Sequence, residues 1–175
     1  MDALDLMLAR RSVRRYTARD VSAEDERKLI EAAFAAPSAN NARPWHFVFV
    51  RDPDTRTRLK AMHEWTGMLA KAPLVVAVLG RDEDNPWWIE DCAAATENIL
   101  LMATALGLGS VWCGMREDAT EVGGCEKACC EVLHIPPGWR VLALVGIGHP
   151  AEKKKPRTQL QTTKLSYERF GRRSR

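Results

Sequence analysis

One segment, "WWIEDCAAATENILLMATALGLG", constrains the fold more than any other part of the chain. Its apolar residues recur at helical spacing in two adjacent stripes, one through Ile89 and Leu100 and the other through Trp88 and Leu106. Together the stripes make an apolar surface wider than the roughly 100° stripe of a surface helix. We therefore predict a long helix that lies at the centre of a domain or against a partner chain.

Shorter elements alternate around this helix. Apolar spacing predicts helices over residues 2–10, after Ser22 as an N-cap, through "DPDTRTRLKAMHEW" and through "EVGGCEKACCEVLHI". Four strands are predicted at "WHFVFV", "APLVVAVLG", "SVWCGM" and "WRVLALVGIGHP", with the last broken by Gly146, Gly148 and Pro150. The second run is almost continuously apolar, which predicts burial on both faces. The alternation is typical of an α+β or α/β domain with a helix-covered sheet.

Length and composition bound the class of protein. The 175 residues, 46% hydrophobic and 28% charged, predict one globular domain over 1–175. No apolar run reaches the roughly 18 residues that span a membrane, so we expect no membrane association. The opening "MDALDLMLARRS" lacks the order of a secretory signal, and the five cysteines lack a disulfide-scaffold spacing. We therefore expect free thiols and a cytoplasmic location.

Charge is unevenly distributed along the chain. The net charge is +3, but residues from Ala151 onward carry nine Lys or Arg and two Glu, a balance of +7. The rest of the chain therefore carries −4. Such a tail can bind nucleic acid, remain solvated or bind an anionic ligand.

Four arginines surround Ser12 at the end of the first predicted helix: Arg10, Arg11, Arg14 and Arg15. One or two cations there are favoured by the helix dipole, by about 0.3–1 kcal/mol each. Four in six residues repel one another unless acids or an anion neutralise them. A phosphate suits them, because guanidinium groups offer paired donors and serine adds a hydroxyl. Spacing alone leaves both readings open.

The stretch "PSANNARPWHF" raises a similar question. A run of helix formers stops at Pro37, and residues with spare hydrogen-bonding groups, Ser38, Asn40, Asn41 and Arg43, follow before the first strand. A simple connection needs no such set of amides and a guanidinium. We expect this loop to hold a ligand.

The cysteines and histidines do not predict a metal site. Cys125, Cys129 and Cys130 with His134 lack the paired spacing of zinc ligands and fit the apolar side of an amphipathic helix. Nothing local marks Cys113 as a thiolate. We expect no metal and no catalytic side chain.

Four motifs in order resemble the nitroreductase family of FMN-dependent oxidoreductases, in its short form. "RRSVRRY" resembles the family's first flavin motif, and "APSANNARPWHF" resembles its second, a Pro-Ser-x-x-Asn-x-Gln-Pro-Trp loop. "EDCAAATENILLMATALGLGSVWCGM" resembles its central helix and following strand. "ALVGIGHPAEKKKPR" with "KLSYERFG" resembles its C-terminal end, so the resemblance covers nearly the whole chain.

The resemblance implies a three-layer α+β fold with a helix-covered mixed β-sheet, in a domain-swapped homodimer with two FMN sites at the interface. It implies hydride transfer from NADH or NADPH, through flavin N5, to a flat electron-poor acceptor such as a nitroaromatic or a quinone. The positions that match the family's cofactor-binding residues are Arg10, Arg11, Ser12, Arg14, Pro37, Ser38, Ala39, Asn41, Trp112, Cys113, Gly114, Lys155 and Arg157. Pro37 to Asn41 match a loop contributed by the other subunit.

Two departures from the family pattern bear on the site. Arg43 stands where the family usually has Gln, which predicts a contact with anionic substrates. Larger members carry an Asn and a Lys before the second strand that touch the flavin edge, whereas this chain offers only Lys71 out of register, so that contact stays unassigned.

Two alternative functions remain. One is a flavin-binding or flavin-degrading relative on the same fold. The other is a nucleic-acid-binding module that uses "KKKPR" and the terminal "GRRSR". The latter leaves the loop at 37–47 unexplained, and the acidic body would repel phosphate, so we expect no nucleic-acid partner.

Overall fold

The computed structural model describes residues 2–116, 125–158 and 160–173. Its α-helices are α1 (Ala3–Ala9), α2 (Ala23–Phe34), α3 (Pro53–Leu59), α4 (Trp88–Ala105) and α5 (Cys125–Leu133). Its strands are β1 (Trp45–Val50), β2 (Leu74–Gly80), β3 (Gly109–Gly114) and β4 (Arg140–Gly148). Short 3₁₀ helices cover Ala39–Asn41, Glu64–Lys71 and Thr162–Lys164.

Side-chain caps start the N-terminal helices. The predicted cap Ser22 is confirmed, because its side chain accepts a hydrogen bond from the Asp25 N–H at 3.0 Å. Asp52 caps α3 in the same way. The helix predicted through "DPDTRTRLKAMHEW" is too long, because α3 ends at Leu59 and a separate 3₁₀ helix begins at Glu64. The short helix predicted to start after Gly123 and Gly124 is confirmed as α5, which begins at Cys125. Residues 117–124 lie outside the described part.

The four strands form one sheet in the order β1-β2-β4-β3. All three neighbouring pairs are antiparallel, which corrects the expected mixed sheet and makes the fold α+β. Within the described residues, the parallel pairing is a single isolated bridge between Ser12 and Ser110. β1 and β3 are therefore the two edges of the sheet.

Alternate residues of β2 belong to two separate hydrophobic clusters. Leu74, Val76 and Val78 pack with α2 and α4, whereas Val75, Ala77 and Leu79 pack with residues of α3, α5 and the Glu64–Lys71 helix. Every residue of β2 is buried. The predicted burial of this strand on both faces is confirmed.

Helix α4 supplies the centre of the first cluster. Its buried apolar residues include Cys92, Ala95, Ile99 and Ala103, all with no exposed surface. The prediction of a long helix at the centre of a domain is confirmed, because its two apolar stripes are covered by the sheet and by α2. None of the described helices combines the length and the apolar character needed to cross a lipid bilayer.

The last strand is continuous, so its predicted break at Gly146 is wrong. Gly146 pairs with both Val75 and Val111 in the middle of the sheet. A Cβ atom at this position would lie 3.0 Å from a methyl carbon of Leu69. The glycine therefore lies in a closely packed part of the sheet and not in a turn.

Candidate active site

The segment after α1, residues 10–15, is here called the arginine segment. It runs beside the first residues of β3, where Ser12 bridges Ser110 and the Val13 N–H donates to the Ser110 carbonyl at 2.8 Å. The buried Tyr16 hydroxyl then donates to the carbonyls of Val13, at 2.6 Å, and Gly146, at 3.1 Å. Burial raises the pKa of Tyr16 above its ordinary range, so it remains a donor. These bonds hold the backbone of the arginine segment and do not involve the arginine side chains.

A single carboxylate, Glu152, joins the arginine segment to the chain that follows β4. It accepts a hydrogen bond from the Arg14 N–H at 2.7 Å and pairs with Lys154 at 2.9 Å and with Arg15 at 3.6 Å. The Arg14 hydrogen bond, and then the Lys154 contact, lower the pKa of Glu152 to about 2. Glu152 is therefore fully ionised at neutral pH and holds both segments together.

The predicted cations near this segment fall into two groups. Arg10 pairs with Glu97 of α4 at 3.2 Å, which neutralises part of the arginine cluster. Arg11 donates to the Lys155 carbonyl, and the Arg157 N–H donates to the Leu8 carbonyl at 2.9 Å. Arg11 and Arg157 line one polar cavity of about 360 Å³ with Pro156, Thr158 and Gln161. The structure thus brings the N-terminal and C-terminal cations to one place.

A second cavity next to the arginine segment is largely apolar. Its volume is about 290 Å³, and it is lined by Arg14, His63, Trp65, Val111, Trp112, Cys113 and Gly114. The predicted strand-end residues Trp112, Cys113 and Gly114 therefore share a cavity with Arg14. Burial raises the pKa of the Cys113 thiol to about 11, so the thiol is neutral at physiological pH and is not a nucleophile.

A third cavity, of about 400 Å³, contains a residue that sequence reasoning left unassigned. Lys71 lines it together with Arg14, Arg15, Tyr16, Gly67, Met68 and Ala151. Lys71 ends the 3₁₀ helix Glu64–Lys71, which places it near Arg14 although the two are far apart in sequence. Sequence spacing could not reveal that Lys71 lies near Arg14, because the position of Lys71 depends on how the 3₁₀ helix turns before β2.

Residues 37–43, here called the amide loop, have an unusual backbone. Asn40, Asn41 and Arg43 all have positive φ, of 53°, 56° and 50°. The Arg43 N–H donates to Ser38 Oγ at 3.0 Å, and Arg43 Nε donates to Asn41 Oδ1 at 2.9 Å. The Ala39 N–H donates to Asp91 Oδ1 at 3.0 Å. The loop therefore has one defined conformation that is tied to helix α4.

The amide loop and the arginine segment lie at opposite edges of the sheet. The loop leads into β1, whereas the arginine segment pairs with β3, and β2 and β4 lie between them. Three interstrand spacings of about 4.8 Å separate these edges by about 14 Å. No hydrogen bond or ion pair joins the two groups in the described ranges. One protomer does not bring Pro37, Ser38, Ala39 and Asn41 together with the arginines.

The cysteines on α5 are packed into the core. All five cysteines of the chain are free thiols. Cys125 donates to the Met62 carbonyl at 3.4 Å, and burial raises the pKa of Cys129 to about 12. Cys129 is fully buried in the second cluster and Cys130 packs against it, so both act as small apolar residues.

Together, the fold and the cavities define an α+β protein whose arginine segment lines both a cationic cavity and an aromatic one. A sequence model of the Nitroreductase family matches residues 7–66 and 61–149. A relative from Archaeoglobus fulgidus named "Putative NADH dehydrogenase/NAD(P)H nitroreductase" is 40% identical over 159 residues, 87% of this chain and 88% of the relative. This chain belongs to the nitroreductase family of oxidoreductases.

Solved structures have the same fold. An FMN-dependent nitroreductase from Clostridium difficile matches with a TM-score of 0.91 at 31% identity, over 95% of this chain and 99% of that one. A "putative nitroreductase in complex with fmn" from Desulfovibrio desulfuricans matches with a TM-score of 0.80 at 30% identity, over 95% and 96% of the two chains. The antiparallel α+β architecture is therefore that of the family.

Proposed function

We propose that this chain is an FMN-dependent oxidoreductase that uses NADH or NADPH to reduce a flat, electron-poor acceptor such as a nitroaromatic or a quinone. The observation that carries the proposal is the arginine segment, which lines a cationic cavity at Arg11 and an aromatic one at Arg14. FMN carries a phosphate dianion at one end and a flat apolar ring with a polar edge at the other. The described residues fit both parts.

The cationic cavity supports a phosphate site. Arg11 and Arg157 line it, Lys155 lies beside it through its carbonyl bond to Arg11, and Arg10 and Ser12 flank it in sequence. Guanidinium groups bind phosphate through paired donors, which a lysine cannot supply in the same geometry. We propose that these residues hold the FMN phosphate and the start of its ribityl chain.

The two other cavities support a ring site. Trp65 and Trp112 give the second cavity apolar walls, and Arg14 lines both it and the third cavity. Reduced flavin gains negative charge at its pyrimidine edge, so a nearby cation stabilises it. We propose Arg14 and Lys71 for that role. They would hold the pyrimidine edge while Trp112, Cys113 and Gly114 border the ring.

When bound, FMN supplies the redox chemistry, accepting hydride from the nicotinamide donor and delivering it to the acceptor. The chain's own residues would bind FMN, orient its ring and set the charge around it. The neutral Cys113 thiol and the buried Tyr16 hydroxyl supply no general base near pH 7. We propose that no side chain acts as a catalytic acid or base, because the cofactor would carry the chemistry.

We further propose that the protein is a three-layer, domain-swapped homodimer in which each FMN site takes its amide loop from the partner. The position of the two motifs at opposite edges of the sheet in one protomer supports this. So do the unpaired edge of β1 and an exposed C-terminal arm with Leu160, Leu165 and Phe170, at 84%, 44% and 104% exposure. The five free thiols support a reducing, cytoplasmic setting.

Arg43 is our candidate for substrate selection. It is exposed, carries a charge where the family usually has an amide, and is oriented by Asn41. In the proposed dimer it would border the ring site of the partner. A cation at that position favours acceptors that carry a carboxylate.

The visible spectrum of the purified protein tests the proposed function. We expect the absorption bands of oxidised flavin, which NADH or NADPH bleaches in the absence of air and a quinone restores. A colourless protein that does not take up added FMN would refute the proposal. A coloured protein that neither NADH nor NADPH bleaches would favour a flavin-binding relative without this reductase activity.

A further inference from the structure

The amide loop holds an uncommon backbone conformation, which asparagine tolerates but which is unfavourable for Arg43, the residue before Pro44. Three non-glycine residues within four positions, Asn40, Asn41 and Arg43, lie in the left-handed region. Such a conformation persists only where the surroundings hold it. Inside the loop, the Asn41 N–H donates to the Ser38 carbonyl and the Arg43 N–H donates to Ser38 Oγ, both at 3.0 Å. These bonds close the turn but do not attach it to the domain.

Two buried side chains attach the loop to helix α4 through Ala39. Asp91 Oδ1 accepts from the Ala39 N–H at 3.0 Å, and Asn85 Nδ2 donates to the Ala39 carbonyl at 3.3 Å. The two side chains also bind each other, because Asn85 Nδ2 donates to Asp91 Oδ2 at 2.8 Å. Asn85 Oδ1 in turn accepts from the Trp87 N–H at 3.1 Å. The pair thus holds both polar groups of the Ala39 backbone.

The position of Asp91 is not explained by helix stability alone. A carboxylate in the first turn of a helix is favoured by the dipole, and the exposed neighbour Glu90 already provides one. Asp91 is only 6% exposed, and burying a carboxylate is unfavourable unless it accepts hydrogen bonds. The bonds that it accepts come from the Ala39 N–H and from Asn85. Its burial is therefore explained by the attachment of the loop.

We propose that Asp91, acting with Asn85, is a positioning residue that holds the amide loop in the conformation that binds FMN. This inference rests on the proposed function, because the loop is the predicted contact with the cofactor. The Asp91 side chain accepts hydrogen bonds from the Ala39 N–H and from Asn85, so its effect on the flavin passes through residues 38–41. The loop needs one carboxylate and one amide at these positions, because Ala39 presents one N–H donor and one carbonyl acceptor.

Exchange of the two groups tests the proposal. Asp91→Asn keeps the shape but sets one amide N–H group against another, so the bond between the two side chains is lost. Asn85→Asp sets two carboxylates against each other. The double variant Asn85→Asp/Asp91→Asn restores a donor facing an acceptor, with the direction reversed. Glu90→Gln is the matched control, because it removes a carboxylate from the same helical turn without touching the loop.

The first readout is the dissociation constant of FMN, measured by flavin fluorescence in titrations of the apoprotein. We expect Asp91→Asn and Asn85→Asp each to weaken FMN by about tenfold or more, because a buried polar group is left unsatisfied. Glu90→Gln should bind as the wild type does. The double variant should recover part of the loss of Asn85→Asp, because the bond between the two side chains returns while the bond to the Ala39 carbonyl stays lost.

The second readout separates positioning from general damage. Amide hydrogen exchange should become faster at Ala39, Asn41 and Ala42 in the single variants, while the amides of β2 and β4 keep their protection. Loss of FMN affinity together with faster exchange in those strands would overturn the positioning role. So would a single variant that binds FMN as tightly as Glu90→Gln.

The outcomes also separate this inference from the proposed function. If the wild type itself does not bind FMN, the proposed function fails. If the wild type binds FMN but the single variants are unaffected, only the positioning role fails. Should Asp91→Asn not fold, the comparison of Asn85→Asp with the double variant decides, because equal affinities there would overturn the inference.

Discussion

The arginine segment and the amide loop are both short irregular stretches, yet the protein fixes them in opposite ways. The arginine segment is anchored through its backbone, to Ser110 of β3 and to Glu152, and its side chains face the cavities. The amide loop is anchored by the buried side chains of Asn85 and Asp91, which form hydrogen bonds with the backbone of Ala39. A backbone anchor tolerates changes of side chain, whereas a side-chain anchor concentrates the constraint in two residues.

The largest expected effect tests whether the two regions meet across a dimer interface. Arg14→Ala leaves the anchoring N–H in place, and Asn41→Gly removes the amide while suiting the positive φ. Each homodimer should purify with little FMN, because both of its sites are broken. A mixed dimer of the two variants should hold about one FMN, because two-fold symmetry gives one site both changes and the other site neither.

Isolation of the mixed dimer uses two different affinity tags, and the FMN content is read from the visible spectrum. A dimer of intact size that stays colourless would show that both motifs serve the same site from one chain. The proposed shared site would then be wrong, although FMN binding itself could stand.

The next effect concerns the cations that meet the arginine segment. Arg157→Ala should weaken FMN by about 1.5–3 kcal/mol, the range for a hydrogen bond to a charged group, and should leave riboflavin nearly unchanged. Lys153→Ala is the control, because it removes a charge from the same tail without lining the cavity. Titration of both ligands gives the comparison, and equal losses for the two would rule out a phosphate contact.

A smaller effect addresses the left-handed backbone of the amide loop. Asn40→Ala should lower the free energy of unfolding by about 1 kcal/mol relative to Asn40→Gly, because alanine is strained at φ 53°. Arg15→Ala in the arginine segment should change stability by less than about 0.5 kcal/mol, as expected of an exposed side chain. Urea unfolding measures all three, and equal values for the two Asn40 variants would contradict a held conformation.

The smallest effect concerns substrate charge at the edge of the loop. Arg43→Gln should raise the KM of a carboxylated nitroaromatic more than that of its neutral amide. The difference should correspond to a free energy of less than about 1 kcal/mol, as for an exposed ion pair. Arg43→Lys should keep the preference, and added salt should reduce it. If both substrates respond alike to Arg43→Gln, the side chain has no role in selecting charge.

Local patterns predicted the elements whose formation is local. The two stripes of α4, the apolar run of β2 and the cap at Ser22 each follow from neighbours in the sequence, and all three are confirmed. The order of motifs also indicated the family. The arginines of residues 10–15 were found because their charge density is unusual for any helix end.

What sequence reasoning missed depends on contacts between distant residues. Gly146 was predicted to break the last strand, but it lies within the strand, where Leu69 and Tyr16 pack closely against it. Asp91 was not singled out from the sequence, because its partner Ala39 is 52 residues away. Lys71 was left unassigned, since only the packing of its 3₁₀ helix brings it near Arg14.

The bond between the Arg14 N–H and Glu152 spans 138 positions of the chain, and this has a consequence for biosynthesis. The arginine segment leaves the ribosome well before its anchors at Ser110 and Glu152, which follow much later in the chain. Closing so long a loop is entropically unfavourable until the strands between are in place. The arginine segment therefore stays without these two anchors until residue 152 has been made.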